Sequence, residues 1–164
     1  MSISDSSSIF IDYLETPMGI LQLQADITGL SAIGFVEERQ TTSKRSKITD
    51  QAKQQLREYF AGHRQEFDLP TSVKGTEFQQ QVWQQLSQIP YGQTCSYQDI
   101  ANRLDKPKAV RAVGGANGKN PLTIVVPCHR VVGANGSLTG YAWGVSRKKY
   151  LLKHEMNIAE YQLS

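Results

Sequence analysis

Between residues 70 and 75 a linker-like stretch, P-T-S-V-K-G, divides the chain, and the run of strand patterns found only on its N-terminal side most narrows the folds open to it. Before it, residues 9–36 alternate apolar and polar and break at turn signals: I-F-I-D-Y-L-E-T, P-M-G, I-L-Q-L-Q-A, D-I-T-G, L-S-A-I-G-F-V. Period two punctuated by Pro, Gly and Asp predicts three antiparallel strands. After it, apolar residues recur at helical spacing. A chain of 164 residues that switches in this way is expected to build two small units. The boundary falls in the Pro70–Gly75 linker, giving an α/β domain over 1–74 and a mainly helical domain over 75–164. The fold class expected is α+β.

In the first half, residues 40–49 read as a polar loop, and Asp50 to Ala61 as a helix with Ala52, Leu56, Tyr59 and Phe60 inward, ended by Gly62. In the second half, Thr76 and Gln79 form a capping box ahead of Phe78, Val82, Trp83, Leu86 and Ile89, and Pro90 stops that helix. Ser96 caps a short helix, Tyr97 to Leu104. Pro107 suits the first position of another helix, through about Ala116. Two short helices around a tight turn read as a helix-turn-helix. Thr123–Val126 reads as a short buried strand, residues 133–144 as a glycine-rich loop, and Ser146 as the cap of a last helix, Arg147 to about His154.

Charge separates the halves. Residues 1–74 hold eight Lys and Arg against ten Asp and Glu; residues 75–164 hold ten against five. A basic second half fits a polyanionic partner, and a solvated surface explains it as well. No apolar run is long enough for a bilayer, and the N-terminus lacks the early basic residues of a secretory signal, so a reducing cytoplasm is expected. Cys95 and Cys128 are expected to be free thiols, Cys95 a structural one. The scattered histidines and the absence of C-x-x-C argue against a metal.

Two stretches resist a purely structural reading. In K-A-V-R-A-V-G-G-A-N, residues Arg111, Gly114 and Gly115 share a helix face, and glycine inside a helix costs about 1 kcal/mol against alanine. Either the helix ends there, or a bulky partner approaches its backbone with Arg111 projecting from a low surface. In T-I-V-V-P-C-H-R-V-V-G, a thiol, an imidazole and a guanidinium sit between valines. An unperturbed thiol has a pKa of about 8.5 and needs a base or cation to become a nucleophile. Pro127 breaks the strand, so that Cys128 and His129 need not point to opposite faces. Glu155 is the best-placed carboxylate of the second half to orient the imidazole, though from the residues alone a solvated glutamate at a helix end is the plainer reading.

Taken together, P-C-H-R-V-V, S-Y-Q-D-I-A, P-K-A-V-R-A-V-G-G-A, the asparagine of K-N-P, G-Y-A-W-G and L-L-K-H-E resemble, in order and over roughly residues 76–156, the blocks of the O6-alkylguanine-DNA alkyltransferases. The resemblance implies direct-reversal DNA repair: one irreversible transfer of an alkyl group from O6-alkylguanine to a cysteine after base flipping. It makes Cys128 the acceptor, activated through a water by His129 with Glu155 behind it. Asn120 would brace the active-site turn, and Tyr97 would aid extrusion and bond the flipped guanine. Arg111 would be the finger that enters the duplex, with Ala112, Gly114 and Gly115 on the DNA-facing helix. Val131, Tyr141, Ala142 and Trp143 would form the base pocket, Trp143 narrowing it against bulky adducts. The implied partner is double-stranded DNA met in the minor groove, by a monomer that uses no cofactor. Some relatives carry zinc in the N-terminal domain; with only His63 and no cysteine there, none is expected here. A cysteine hydrolase, a non-catalytic lesion binder and a helix-turn-helix regulator are the competing readings.

Overall fold

A computed structural model describes residues 8–39, 42–138 and 140–156. The chain separates into two compact units, Met1–Lys74 and Gly75–Ser164.

The first unit is an antiparallel meander, β1 (Phe10–Thr16), β2 (Gly19–Ala25) and β3 (Leu30–Val36), with β2 central. The register pairs Leu14 with Leu21 and Leu21 with Phe35, which aligns the large apolar residues across the strands. Helix α1 (Lys47–Phe60) covers the sheet with Ala52, Leu56 and Tyr59, all fully buried. It begins three residues before the predicted start. Ser46 caps it by accepting from Thr49 N, and Thr49 Oγ1 accepts from Ser46 N in return. Threonine in place of the usual Glu or Gln hid that capping box in a polar stretch. The same stretch also supplies Lys44, whose backbone pairs with Ile11 at the free edge of β1.

The expected linker is partly docked. Leu30 N donates to Pro70 O, and Ser72 N donates to Leu30 O, so residues 70–72 run beside the start of β3. Gly29 permits this approach: a Cβ there would lie 2.6 Å from the backbone carbon of Thr71.

In the second unit, α2 (Glu77–Leu86) starts at the predicted Thr76–Gln79 capping box but ends at Leu86, ahead of Ile89 and Pro90. Val82, Trp83 and Leu86 are buried, and the Trp83 indole donates to the Ala116 carbonyl at 2.8 Å, pinning α2 to α4. A two-residue strand β4 (Cys95–Ser96) leads into α3 (Tyr97–Arg103), where Ser96 and Asp99 form a reciprocal cap. Helix α4 (Val110–Gly118) starts three residues later than expected. Pro107 lies in a turn closed by Ala109 N on Lys106 O, and its carbonyl accepts from Gln98 Nε2, which leaves it outside the helix.

Three further expectations change. The helix does not end at the glycine pair: it runs through Gly114 and Gly115 to Gly118. Thr123–Val126 is no strand but a tight turn, with Val126 N on Leu122 O and Ile124 at φ 74°, a region branched side chains seldom adopt. Its one bridge, Thr123 to Val126, closes the turn on itself, and Leu122, Thr123 and Ile124 are buried. The paired strand is β5 (Val131–Val132), parallel to β4 through Cys95 and Val131. Finally, α5 (Val145–Met156) starts two residues early, so Ser146 lies inside it and does not cap it.

Replacing Gly29 by Ala forces a Cβ into the Thr71 backbone, and is expected to destabilise the first unit by at least about 1 kcal/mol. A urea midpoint equal to that of the unaltered protein would contradict the close approach.

Candidate active site

The site is built on a turn that one side chain holds closed. Asn120 Nδ2 donates to Val126 O at 2.8 Å, and Leu122 N donates to Asn120 Oδ1 at 3.0 Å. Pro127 follows, and Cys128–Arg130 form one turn of 3₁₀ helix. At three residues per turn, successive side chains diverge by roughly a third of a circle instead of alternating. Cys128, His129 and Arg130 can therefore face three surroundings while all stay buried.

His129 is fully buried, and its Nε2 lies 2.7 Å from Glu155 Oε2 on α5. Arg130 grips the same carboxylate, Nε to Oε1 at 2.7 Å and Nη2 to Oε2 at 3.0 Å. Burial opposes charge on Glu155, but His129 and the Arg130 fork outweigh it and hold the carboxyl well below its ordinary range. Burial pushes His129 down; Glu155 pulls the other way, Arg130 and Lys148 push down again, and the net shift is down. A downward shift favours the neutral imidazole, which beside an ionised carboxylate would donate from Nε2 and keep a lone pair on Nδ1. That Nδ1 has no hydrogen-bond partner among the described residues.

Burial raises the Cys128 thiol pKa, against which Asn120, Lys148 and Thr123 act to lower it. Thr123 Oγ1 and the Tyr141 hydroxyl lie 2.6 Å apart in the same wall. Asn117 on α4 donates weakly to the Cys128 carbonyl, at 3.5 Å.

The predicted residues gather in two groups. Cys128, His129, Glu155, Asn120 and Tyr141 meet around the turn, and Val131 is fully buried just beyond it on β5. Tyr97, half-buried at the start of α3, joins through Lys148, whose Nζ stands 5.9 Å from its ring centre. Trp143 is half-buried and Ala142 exposed on the loop before α5. The second group lies on α4: Arg111, Ala112 and Gly115 are exposed and Gly114 half-buried. No atom outside the helix's own backbone lies within 4 Å of a Cβ built on Gly114, Gly115 or Gly118, so this face is low and open. Cys95 is buried in β4, and burial raises its pKa as well.

Lys148 is the residue that reading the sequence missed. It is fully buried, and burial lowers its pKa to about 8, with the Cys128 charge pulling it up. The signal was present: Lys148, Leu151, Leu152 and Glu155 fall at i, i+3, i+4 and i+7, and all four are buried. Asn117 and Arg130 were likewise not assigned to the site. Among the described residues no three His, Cys, Asp or Glu side chains cluster as metal ligands, and no helix is long and apolar enough to cross a membrane.

Comparison with known proteins decides the family. Residues 77–157 match the family model "6-O-methylguanine DNA methyltransferase, DNA binding domain", and residues 9–73 match "6-O-methylguanine DNA methyltransferase, ribonuclease-like domain". The chain belongs to the 6-O-methylguanine DNA methyltransferase family. It is 45% identical over 147 residues to the methylated-DNA–protein-cysteine methyltransferase of Methanosarcina acetivorans, covering 86% of this chain and 94% of the relative. It is 48% identical over 151 residues to the constitutive methyltransferase of that name from Bacillus subtilis, covering 86% and 92%. The crystal structure of the Mycobacterium tuberculosis O6-methylguanine methyltransferase superposes with a TM-score of 0.83 at 41% identity, over 94% of this chain and 97% of that one. A structure of the same bacterium's OGT in complex with DNA gives 0.81 at 44% identity, over 88% and 91%.

Lys148 gives this methyltransferase-family site a testable electrostatic feature. Lys148→Met removes a cation that favours the Cys128 thiolate, and iodoacetamide labelling of Cys128 at neutral pH is expected to slow several-fold. Peptide mass mapping reads it, with Cys95 as internal reference. An unchanged rate would remove Lys148 from the thiol's surroundings.

Proposed function

We propose that Cys128 is the residue to which this chain, a DNA-repair methyltransferase by family, moves the alkyl group of O6-alkylguanine. The observation that carries the assignment is the Asn120-braced turn, which sets Cys128 beside a buried, neutral His129 backed by Glu155.

The alkyl carbon of O6-alkylguanine is stacked inside the duplex, so the nucleotide is flipped out before it reacts. Double-stranded DNA lies along the open face of α4, minor groove inward. Arg111 enters the stack where the base has left, and Ala112, Gly114 and Gly115 let the backbone come close. The base enters the pocket of Val131, Tyr141, Ala142 and Trp143, its edge read by backbone groups of Cys128 and Val131. Cys128 gives its proton, through a water, to Nδ1 of His129, whose Nε2 stays bonded to Glu155. The sulfur attacks the alkyl carbon in line, the carbon–oxygen bond breaks, and the electron pair leaves on guanine, with a hydrogen bond from Tyr97 to its ring. The product is a thioether. No neighbouring group can cleave it, so each molecule acts once and needs no cofactor.

The basic balance of residues 75–164 and the exposed position of Arg111 support DNA as partner. Residues 1–74 act as the accompanying domain and residues 75–164 as the DNA-binding and transfer domain. A thiol nucleophile calls for a reducing compartment, so we place the monomer in the cytoplasm, on the nucleoid.

Intact-protein mass after mixing with duplex bearing one O6-methylguanine tests the reading. One added methylene per molecule, mapped to Cys128 and absent from Cys128→Ser, is expected. An unchanged mass with tight lesion-specific binding would make the chain a lesion sensor; turnover without a bound group would make it a hydrolase. The open face of α4 is tested separately. Gly115→Ala meets no obstacle in the fold and is expected to stabilise α4 by up to about 1 kcal/mol. The same change should weaken binding to duplex DNA. Stabilisation with unaltered DNA affinity would place the duplex elsewhere.

A further inference from the structure

The transfer just described uses His129 and Glu155 and leaves Arg130 without a part. Yet Arg130 is only 5% exposed and each of its nitrogens is committed. Nε and Nη2 take the two oxygens of Glu155, and Nη1 donates to the Ile89 carbonyl at 2.6 Å. Its guanidinium carbon stands 5.6 Å from the centre of the Tyr91 ring. This is more than a staple for the turn, because the carboxylate it holds is the one that bonds His129.

Two constraints follow. The first is geometric. Glu155 accepts two hydrogen bonds from Arg130 in a planar fork, which fixes its rotation. The oxygen at 2.7 Å from His129 Nε2 can then only accept, so Nε2 carries the proton and Nδ1 the lone pair. The second is charge. The fixed cation of Arg130 cancels Glu155. Without it, the buried carboxylate would stand alone and would draw a proton onto the imidazole, and an imidazolium has no lone pair for the thiol proton. The groups around His129 divide on the sign of its charge. Glu155 and Lys148 face it from α5, and Cys128 and Arg130 flank it on its own turn. Tyr91, in the segment before β4, bears on Glu155 from beyond Arg130. Arg130 and Lys148 oppose a charged imidazole, and Glu155 favours one.

We infer that Arg130 is a positioning residue for alkyl transfer, which by gripping both oxygens of Glu155 holds His129 neutral with Nδ1 open to the proton of Cys128. This rests on the assignment of Cys128 and His129 above. A guanidinium is suited to the task because it cannot lose its proton and its fork matches a carboxylate.

The test is the pH profile of single-turnover methyl transfer by the full chain, for the unaltered protein, Arg130→Met and Arg130→Lys, with nitrogen-15 NMR of the His129 ring. In Arg130→Met the acid limb is expected to move to higher pH by about one unit or more, with roughly a tenfold loss of rate on that limb that alkaline pH restores. Arg130→Lys keeps the charge and is expected to keep the limb in place. A loss of rate equal at every pH in both variants would overturn the inference and leave Arg130 structural. If Arg130→Met does not fold, the unaltered protein and Arg130→Lys decide through the NMR spectrum: a neutral ring protonated on Nε2 at neutral pH supports the inference, and an imidazolium overturns it. No transfer by the unaltered protein would refute the proposed function, and the ring's charge state would still judge Arg130.

Discussion

The carboxamide of Asn120 closes a turn that has no regular structure to support it. Residues 122–126 are mostly apolar and buried, so their backbone groups cannot rely on water, and a buried amide or carbonyl left unpaired costs about 1–3 kcal/mol. Asn120 takes one donor and one acceptor, Leu122 N and Val126 O, and backbone bonds within 122–126 take others. That closure tolerates Ile124 in a left-handed conformation and delivers the chain to Pro127 ready to turn again. The positions of Cys128, His129 and Arg130 all descend from it. The sulfur sits in an apolar wall because the turn that carries it is itself part of the core, and such a wall suits an alkyl group.

Within that wall stand two buried cations and one buried carboxylate. Arg130 and Lys148 are cationic groups, and Glu155 is the carboxylate among them. Arg130 neutralises Glu155 directly, with bonds of 2.7 and 3.0 Å. Lys148 stands nearby on α5, and burial brings its pKa down to about 8. A thiolate at Cys128 is the anion that would complete the balance. In the resting protein the thiol is held protonated by burial, so the site stores an inert cysteine beside a cation and a base.

How much of this was legible in the sequence depended on which physical signal a residue carried. The strands of the first unit stand out because turn signals punctuate them and β2 alternates cleanly, and α2 and α3 because Thr76 and Ser96 cap them in the usual way. Helix α1 was read three residues short because Thr49 stood where a capping box ordinarily has Glu or Gln. Thr123–Val126 was read as a strand because a buried turn and a buried strand have the same composition; only the hydrogen bonds of Asn120 separate them. Pro107 fitted a helix start by type, yet its neighbours folded into a closed turn. Cys128 and His129 stand out from the valines around them, and the resemblance of the blocks is what ties Glu155 to them, since no local rule joins positions 129 and 155. Lys148 carries the charge of a surface residue at a core position of α5, so only the helical spacing it shares with Leu151, Leu152 and Glu155 marks it.

Helix α4 has two sides that look at different things. Outward it carries Arg111 and the bare glycines; inward, six residues and about 9 Å along its axis from Arg111, Asn117 reaches the carbonyl of Cys128 at 3.5 Å. A helix this short moves as one rod. Any tilt that pressing against a rigid surface imposes on its outer side displaces the oxygen to which its inner side is tied. The outer side of this helix thus lies one weak hydrogen bond away from the main chain that carries the sulfur.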